Sequence, residues 1–339
     1  MEAVRKQRAT YACAAFAVLF LGIQIAADAQ WTWSPQTGRW INLQRLPMET
    51  PELQLVHARG LMLEGRYREA MRETEKFMDF YGDSDLADQN QFLRGEITER
   101  RGRYLQAVNE YQQVVANYPG SDLHEDVIDR QYAIGDRLFQ EGLENQERWF
   151  TFFRNRPMRQ AIEVYNTVID NQPFTPAAAE AQYKVGLCKF TLGEYTEAAF
   201  EYRRVIEDYS GSEWVADASH GLVQCYYRAS RPPAYDQTPS RMTITAIDRF
   251  RSQFPNDERL EGMEEKRQEM RERMAEQRVR TAEYYEGRRQ FESARIYYQI
   301  VVDEFGDTAA AAEAQQWLDD YGPPQEGPLA VLQTVSESN

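Results

Sequence analysis

Three histidines, His57, His124 and His220, and two cysteines beyond the first thirty residues, Cys188 and Cys225, are the side chains best suited to hold a metal or act as nucleophiles. A zinc site on a helix takes two ligands one turn apart, so that both project from one face. No two of these histidines fall within a turn of each other. A metal-binding or redox cysteine pair is separated by two residues, and Cys188 and Cys225 are far apart. The sequence has no glycine-rich phosphate loop, nucleophile elbow or calcium loop. Its 54 acidic residues against 39 basic ones, a net charge of −15, would repel nucleic acid and anionic lipid surfaces. Carboxylates spread over helices form a solvated face more often than a converging acid–base pair. The sequence therefore reads as a non-enzymatic chain with no cofactor and no metal, whose informative residues bind rather than react.

Two segments are candidates for binding. Trp31-Thr32-Trp33-Ser34-Pro35-Gln36-Thr37-Gly38-Arg39-Trp40 sets three tryptophans among turn-forming residues, and indoles at that density need a surface to bury against. It is expected either to cap the end of an array or to dock on a partner or membrane interface. From Glu264 to Arg280, Lys266, Arg267, Arg271, Arg273, Arg278 and Arg280 alternate with Glu264, Glu265, Glu269, Glu272 and Glu276. Charges at three- and four-residue spacing support an exposed long helix. Met263, Met270 and Met274 offer an adaptable apolar stripe along it as the alternative.

The elements that position these residues follow from internal repetition. Gly65-Arg66-Tyr67-Arg68-Glu69-Ala70, Gly102-Arg103-Tyr104-Leu105-Gln106-Ala107, Gly193-Glu194-Tyr195-Thr196-Glu197-Ala198 and Arg289-Gln290-Phe291-Glu292-Ser293-Ala294 align without gaps. Eleven residues after each alanine stands Tyr81, Tyr118, Tyr209 or Phe305, followed by Gly82, Pro119, Ser210 or Gly306. The pattern predicts two antiparallel helices per unit. Glycine closes the first helix in the left-handed region, the aromatic fills the gap between the pair, and alanine lets the backbones approach. Ser84, Ser121, Ser212 and Thr308 are placed to cap the next helix. Two degenerate units share the frame, ending at Pro173 with Thr175 as cap and at Pro255 with Asp257 as cap. Breaks at 82, 119, 173, 210, 255 and 306 are spaced by 37, 54, 37, 45 and 51 residues. The insertions fall around Gly142 to Arg156, Ser230 to Arg241 and Arg259 to Arg288. Cys188 and Cys225 lie in first helices of neighbouring units, where a disulfide or two separate buried thiols would each fit; the second reading is preferred.

The start of the chain reads as a secretory signal over 1–29, with Arg5, Lys6 and Arg8, an apolar run from Tyr11 to Ile23, and Ala27-Asp28-Ala29 as the cleavage site. The expected organisation is then a Trp-rich segment at 30–50, an array at 51–321, and a disordered tail at 322–339 rich in proline.

This register resembles the tetratricopeptide repeat family. The run Ala282-Glu283-Tyr284-Tyr285-Glu286-Gly287-Arg288-Arg289-Gln290-Phe291-Glu292-Ser293-Ala294-Arg295-Ile296-Tyr297-Tyr298, with Glu304-Phe305-Gly306-Asp307-Thr308, is similar to the last repeat of the BamD (YfiO-type) outer-membrane assembly factors. The resemblance covers about Glu52 to Tyr321. It implies an all-α, right-handed superhelical array of about six hairpins. It also implies an exported protein at the periplasm or the periplasmic face of the outer membrane, with proteins as partners: β-barrel assembly components or unfolded outer-membrane clients. Family members carry a lipid on a cysteine after the apolar run, but Cys13 stands near the start of that run here, with most of it still to follow, so peripheral association is expected instead. In the family frame, residues facing the concave surface are Leu55, Arg59 and Met62, then Phe92, Glu96 and Glu99, then Tyr183, Leu187 and Phe190. Early repeats would meet clients and later ones the assembly machinery. A periplasmic scaffold for cell-wall synthesis or polymer export would share these features.

Overall fold

The computed structural model describes residues 31–34, 39–42, 46–147 and 155–321. The expected signal and tail lie outside these residues. Two short strands, β1 (Trp31–Ser34) and β2 (Arg39–Asn42), pair antiparallel with Trp33 opposite Trp40. The tryptophan segment is thus a β-ribbon, where the sequence suggested only turns around indoles.

Thirteen helices follow among the described residues. They are α1 (Pro51–Leu63), α2 (Tyr67–Tyr81), α3 (Ala87–Arg100), α4 (Tyr104–Asn117), α5 (His124–Glu147), α6 (Arg156–Asn171) and α7 (Pro176–Thr191). The series continues with α8 (Tyr195–Asp208), α9 (Val215–Ala229), α10 (Thr238–Gln253), α11 (Leu260–Gly287), α12 (Phe291–Phe305) and α13 (Ala309–Tyr321). Consecutive pairs from α1/α2 to α11/α12 form six hairpins, and α13 follows the last. The insertions become a 24-residue α5, the connection 230–237, and a 28-residue α11. The chain divides into two compact units, Met1–Asp129 and Arg130–Asn339, with the boundary inside α5.

Each regular hairpin turns on a left-handed residue. Gly65, Gly102 and Gly193 adopt φ of +78°, +72° and +80°. The amide of the following residue then reaches back to a carbonyl five residues earlier: Arg66 to Leu61 at 2.9 Å, Arg103 to Thr98 at 3.2 Å and Glu194 to Lys189 at 3.0 Å. The last hairpin makes the same turn with Arg289 at φ 61°, the only non-glycine with positive φ among the described residues. A side chain there costs about 1–2 kcal/mol relative to glycine, partly offset by the greater freedom of glycine in the unfolded chain. Arg289→Gly is therefore expected to stabilise the protein by about 0.5–1 kcal/mol, seen as a higher urea midpoint. A lower midpoint would mean that Arg289 makes interactions worth more than the strain.

Ala70, Ala107, Ala198 and Ala294 are fully buried at the crossings, as the frame requires. The aromatics three residues before them are not what fills the hairpins: Tyr67, Tyr104 and Tyr195 are half-buried and Phe291 is exposed. That place belongs to the tyrosine four residues after the alanine, Tyr111, Tyr202 or Tyr298. Its ring lies over a small residue of the first helix. A β-carbon added to Gly95 would come within 2.4 Å of Tyr111, and one on Gly186 within 2.7 Å of Tyr202. One helical turn further on from the alanine puts the ring over the partner helix rather than beside the turn that joins the pair.

A second cross-hairpin contact recurs. Gln54 Nε2 donates to Glu73, Gln91 Nε2 to Glu110 and Gln182 Nε2 to Glu201, at 2.9, 2.8 and 2.6 Å. Each carboxylate also holds a cation: Lys76 at 2.9 Å, Arg94 at 3.0 Å and Lys189 at 2.5 Å. The three glutamines are buried, so their amides need these partners.

The caps divide into two kinds. Thr50, Thr175 and Thr308 accept from the amide three residues on, at 3.3, 3.3 and 3.2 Å, as N-caps do. Ser84, Ser121, Ser212 and Asp257 instead accept from the amide two residues on, at 3.3, 3.2, 3.2 and 2.9 Å, and α3, α5, α9 and α11 begin about one residue later. These four form side-chain turns that lead into the helix rather than true caps.

The charged stretch of α11 is less solvated than its composition suggests. Arg267 pairs with Asp248 at 3.1 Å, Arg271 grips Asp307, and Arg273 donates to Ser230 Oγ at 2.8 Å. Glu272 receives the amides of Ala309 and Ala310, both at 2.8 Å, and so caps α13 with its carboxylate. Met263 and Met270 are buried and Met274 packs on the final core cluster, so the methionine stripe is core rather than a binding surface.

Candidate protein-binding grooves

Four of the nine expected binding residues come together in the first compact unit. Arg59 and Met62 on α1 face Phe92 and Glu96 on α3 across a groove of about 340 Å³, which Leu63, Gln89, Arg100, Leu123 and Asp126 complete. These residues come from the first helices of successive hairpins and from the entry to α5. The spacing explains the meeting: Arg59 and Met62 are separated by three residues and Phe92 and Glu96 by four, so each pair shares a helix face. The floor is apolar, with Met62 buried and Phe92 tilted against Tyr111 at 5.2 Å between centroids. The rim carries both signs, Arg59 and Arg100 against Glu96 and Asp126, and Leu63 is 67% exposed at its edge. An extended or helical peptide with an apolar anchor and mixed charges fits such a surface.

The other two residues from these units are placed differently. Leu55 belongs to the core around Phe77, Leu93 and Ile97. Glu99 accepts the hydroxyl proton of Tyr111 at 2.7 Å, which satisfies a ring inside the hairpin. In the second unit, Tyr183, Leu187 and Phe190 lie half-buried on α7. Tyr183 stacks on Trp214 at 5.0 Å and Phe190 tilts against Tyr195 at 5.3 Å, so both rings are engaged in packing around Tyr202.

No cluster of histidine, cysteine or carboxylate suited to a metal occurs among the described residues. His124 lies 3.1 Å from the Tyr118 carbonyl and His220 3.0 Å from Gln224, and burial beside Arg259 and Lys266 holds His220 below its usual pKa. Cys188 and Cys225 are free and buried, and burial pushes both thiols up to about 12. They are separate apolar residues, not a disulfide.

Sequence reasoning passed over the Gln–Glu contacts and the tyrosine-over-glycine packing. The signal was present in the same alignment: Gln54, Gln91 and Gln182 stand eleven residues before the turn glycine, and Gly95 and Gly186 seven before it. It also passed over a second groove between α8, α9 and α10, which lies outside the first-helix face.

Six helix hairpins, four of which share one register of turn, small residue and break, define a tetratricopeptide-type array, and a tetratricopeptide repeat model matches residues 89–121, the hairpin α3/α4. The YfiO model, described as an outer membrane lipoprotein, matches residues 150–319, half of the chain. The chain belongs to the YfiO outer membrane lipoprotein family. Solved structures with a similar path include a thermophilic tetratricopeptide protein of Thermus thermophilus, 14% identical over 63% of this chain and 96% of that one, with a TM-score of 0.31. A tetratricopeptide repeat protein of Parabacteroides merdae is 14% identical over 78% of this chain and 97% of that one, also at 0.31. PilW, a type IV pilus biogenesis factor, is 12% identical over 79% of this chain and 99% of that one, at 0.27. No curated protein matches the chain. The fold class rests on the chain's own helices and repeats, and family membership implies protein partners in the cell envelope.

Proposed function

We propose that this protein is a BamD-like scaffold of the envelope that assists folding and insertion of outer-membrane β-barrel proteins by binding alone, at the periplasmic face of the outer membrane. The YfiO match over residues 150–319 carries the reading. The groove between α1 and α3 supports it, because an apolar floor with a rim of both signs suits segments of client chains whose apolar and polar residues alternate. Clients or assembly components would seat on Arg59, Met62, Phe92 and Glu96.

The test is a photo-crosslinking residue placed at Leu63 in the full-length protein in intact envelopes, with adducts identified by mass spectrometry. Adducts to an outer-membrane β-barrel or to a β-barrel assembly component are expected. Arg59→Glu with Phe92→Ala should lower their yield about 10-fold or more, the loss of an anchor and a charge contact. Adducts confined to cell-wall synthesis or polymer-export proteins would overturn the reading and install the periplasmic scaffold in its place.

A further inference from the structure

The groove in the second compact unit differs from the first in both position and charge. It encloses about 450 Å³ between α8 and α10, over α9. Leu222 on α9 and Phe250 on α10 are buried beneath it, and Met242, 38% exposed, stands on its rim. Three arginines line it: Arg203 from α8, with Arg241 and Arg249 from α10. Arg203 donates to the Tyr226 hydroxyl at 2.9 Å, which fixes its guanidinium at the groove.

Among the described residues, none of these three guanidiniums lies in an ion pair. Their neighbours in sequence do: Arg204 pairs with Glu201 and Asp208, and Arg251 with Asp248 and Glu264. In a chain with 54 acidic residues against 39 basic ones, three arginines against one lining carboxylate, Glu207, are a local charge excess that a ligand would complement. A second observation points the same way. Ser219 lines the groove at 7% exposure, and its hydroxyl is buried with no hydrogen-bond partner. A buried hydroxyl without a partner is costly unless something supplies one.

We infer that this groove is a second protein-binding site, which takes an amphipathic helical segment of a partner with two carboxylates flanking an apolar anchor. Arg241 and Arg249 are eight residues apart, about 12 Å along α10, which matches carboxylates about two turns apart on a helix. The anchor would lie on Met242, Ala246 and Leu222 between them. A peptide fits better than an anionic bilayer because Glu207 also lines the groove and the rest of the chain is acidic. This site is independent of the client-binding reading, since it uses other helices and neither requires the other.

The test uses the full chain and a fluorescein-labelled helical 14-residue peptide with Glu at positions 3 and 10 and Leu at 6 and 7. Fluorescence anisotropy should show saturable binding. It should weaken about 10-fold or more in Arg241→Glu/Arg249→Glu, and about as much for the peptide with Gln in place of both Glu residues, as loss of paired charge contacts implies. Both arginines are exposed, so the variant should keep the circular dichroism and melting midpoint of the parent. No binding below 1 mM peptide, or equal binding by parent and variant, overturns the proposal. So does binding to phosphatidylglycerol vesicles that the variant loses while peptide binding stays the same, which would make the groove a lipid site.

Discussion

Tyr202→Ala should be among the most damaging single substitutions in the second unit, at about 3–5 kcal/mol. The ring is 2% exposed and lies between two glycines on two different helices. A β-carbon on Gly186 of α7 or on Gly221 of α9 would each come within 2.7 Å of it. It thus joins its own hairpin to the next, and truncating it leaves a cavity that neither helix can fill by moving alone. Gly186→Ala is the reciprocal case, expected to cost about 1–3 kcal/mol through overpacking. Urea denaturation, with hydrogen exchange over α7 to α9, measures both. A loss below about 1 kcal/mol for Tyr202→Ala would show that the helices collapse onto the space, and that the ring is not what fixes their separation.

The second large effect lies at Glu201. Its carboxylate, 7% exposed, takes Gln182 Nε2 at 2.6 Å and Lys189 Nζ at 2.5 Å. Glu201→Leu strands a buried amide and an ammonium group, and should cost about 2–3 kcal/mol, less than a fully buried pair because Lys189 keeps some contact with water. Gln182→Leu in the same chain should restore much of that loss, because removing both polar partners removes the desolvation cost along with the bond. A double-mutant cycle reads the coupling, expected at about 1–2 kcal/mol. Additive losses would show that the two side chains are neighbours without being energetic partners.

What could be read from the sequence was whatever local sterics enforce. Gly65, Gly102 and Gly193 announce their turns because only glycine takes that backbone region at no cost, and the breaks at Gly82 and Pro119 are just as local. Arg289 could be placed only because the other three units supplied the frame. Arg59, Met62, Phe92 and Glu96 could be grouped because three- and four-residue spacing on a helix is a geometric fact. Leu55 and Glu99 share that spacing, yet they face the core or a neighbouring hydroxyl, which depends on what packs opposite and not on their own helix. The α8–α10 groove was beyond reach for the same reason. The repeat frame draws attention to first helices, and α10 follows the irregular connection 230–237, where the frame gives no guidance.

The unequal insertions have a consequence for how the chain finds its fold. Repeats of one length offer many frame-shifted pairings of nearly equal energy, and misassembly between repeats is a characteristic failure of such proteins. Here one hairpin has a 28-residue first helix and another an eight-residue connection, so α12 paired with the 15-residue α9 would not reproduce the combination of lengths and connection that it has with α11. Irregular spacing acts as an address, making the correct neighbour the cheapest one and sparing the chain a search among look-alike partners.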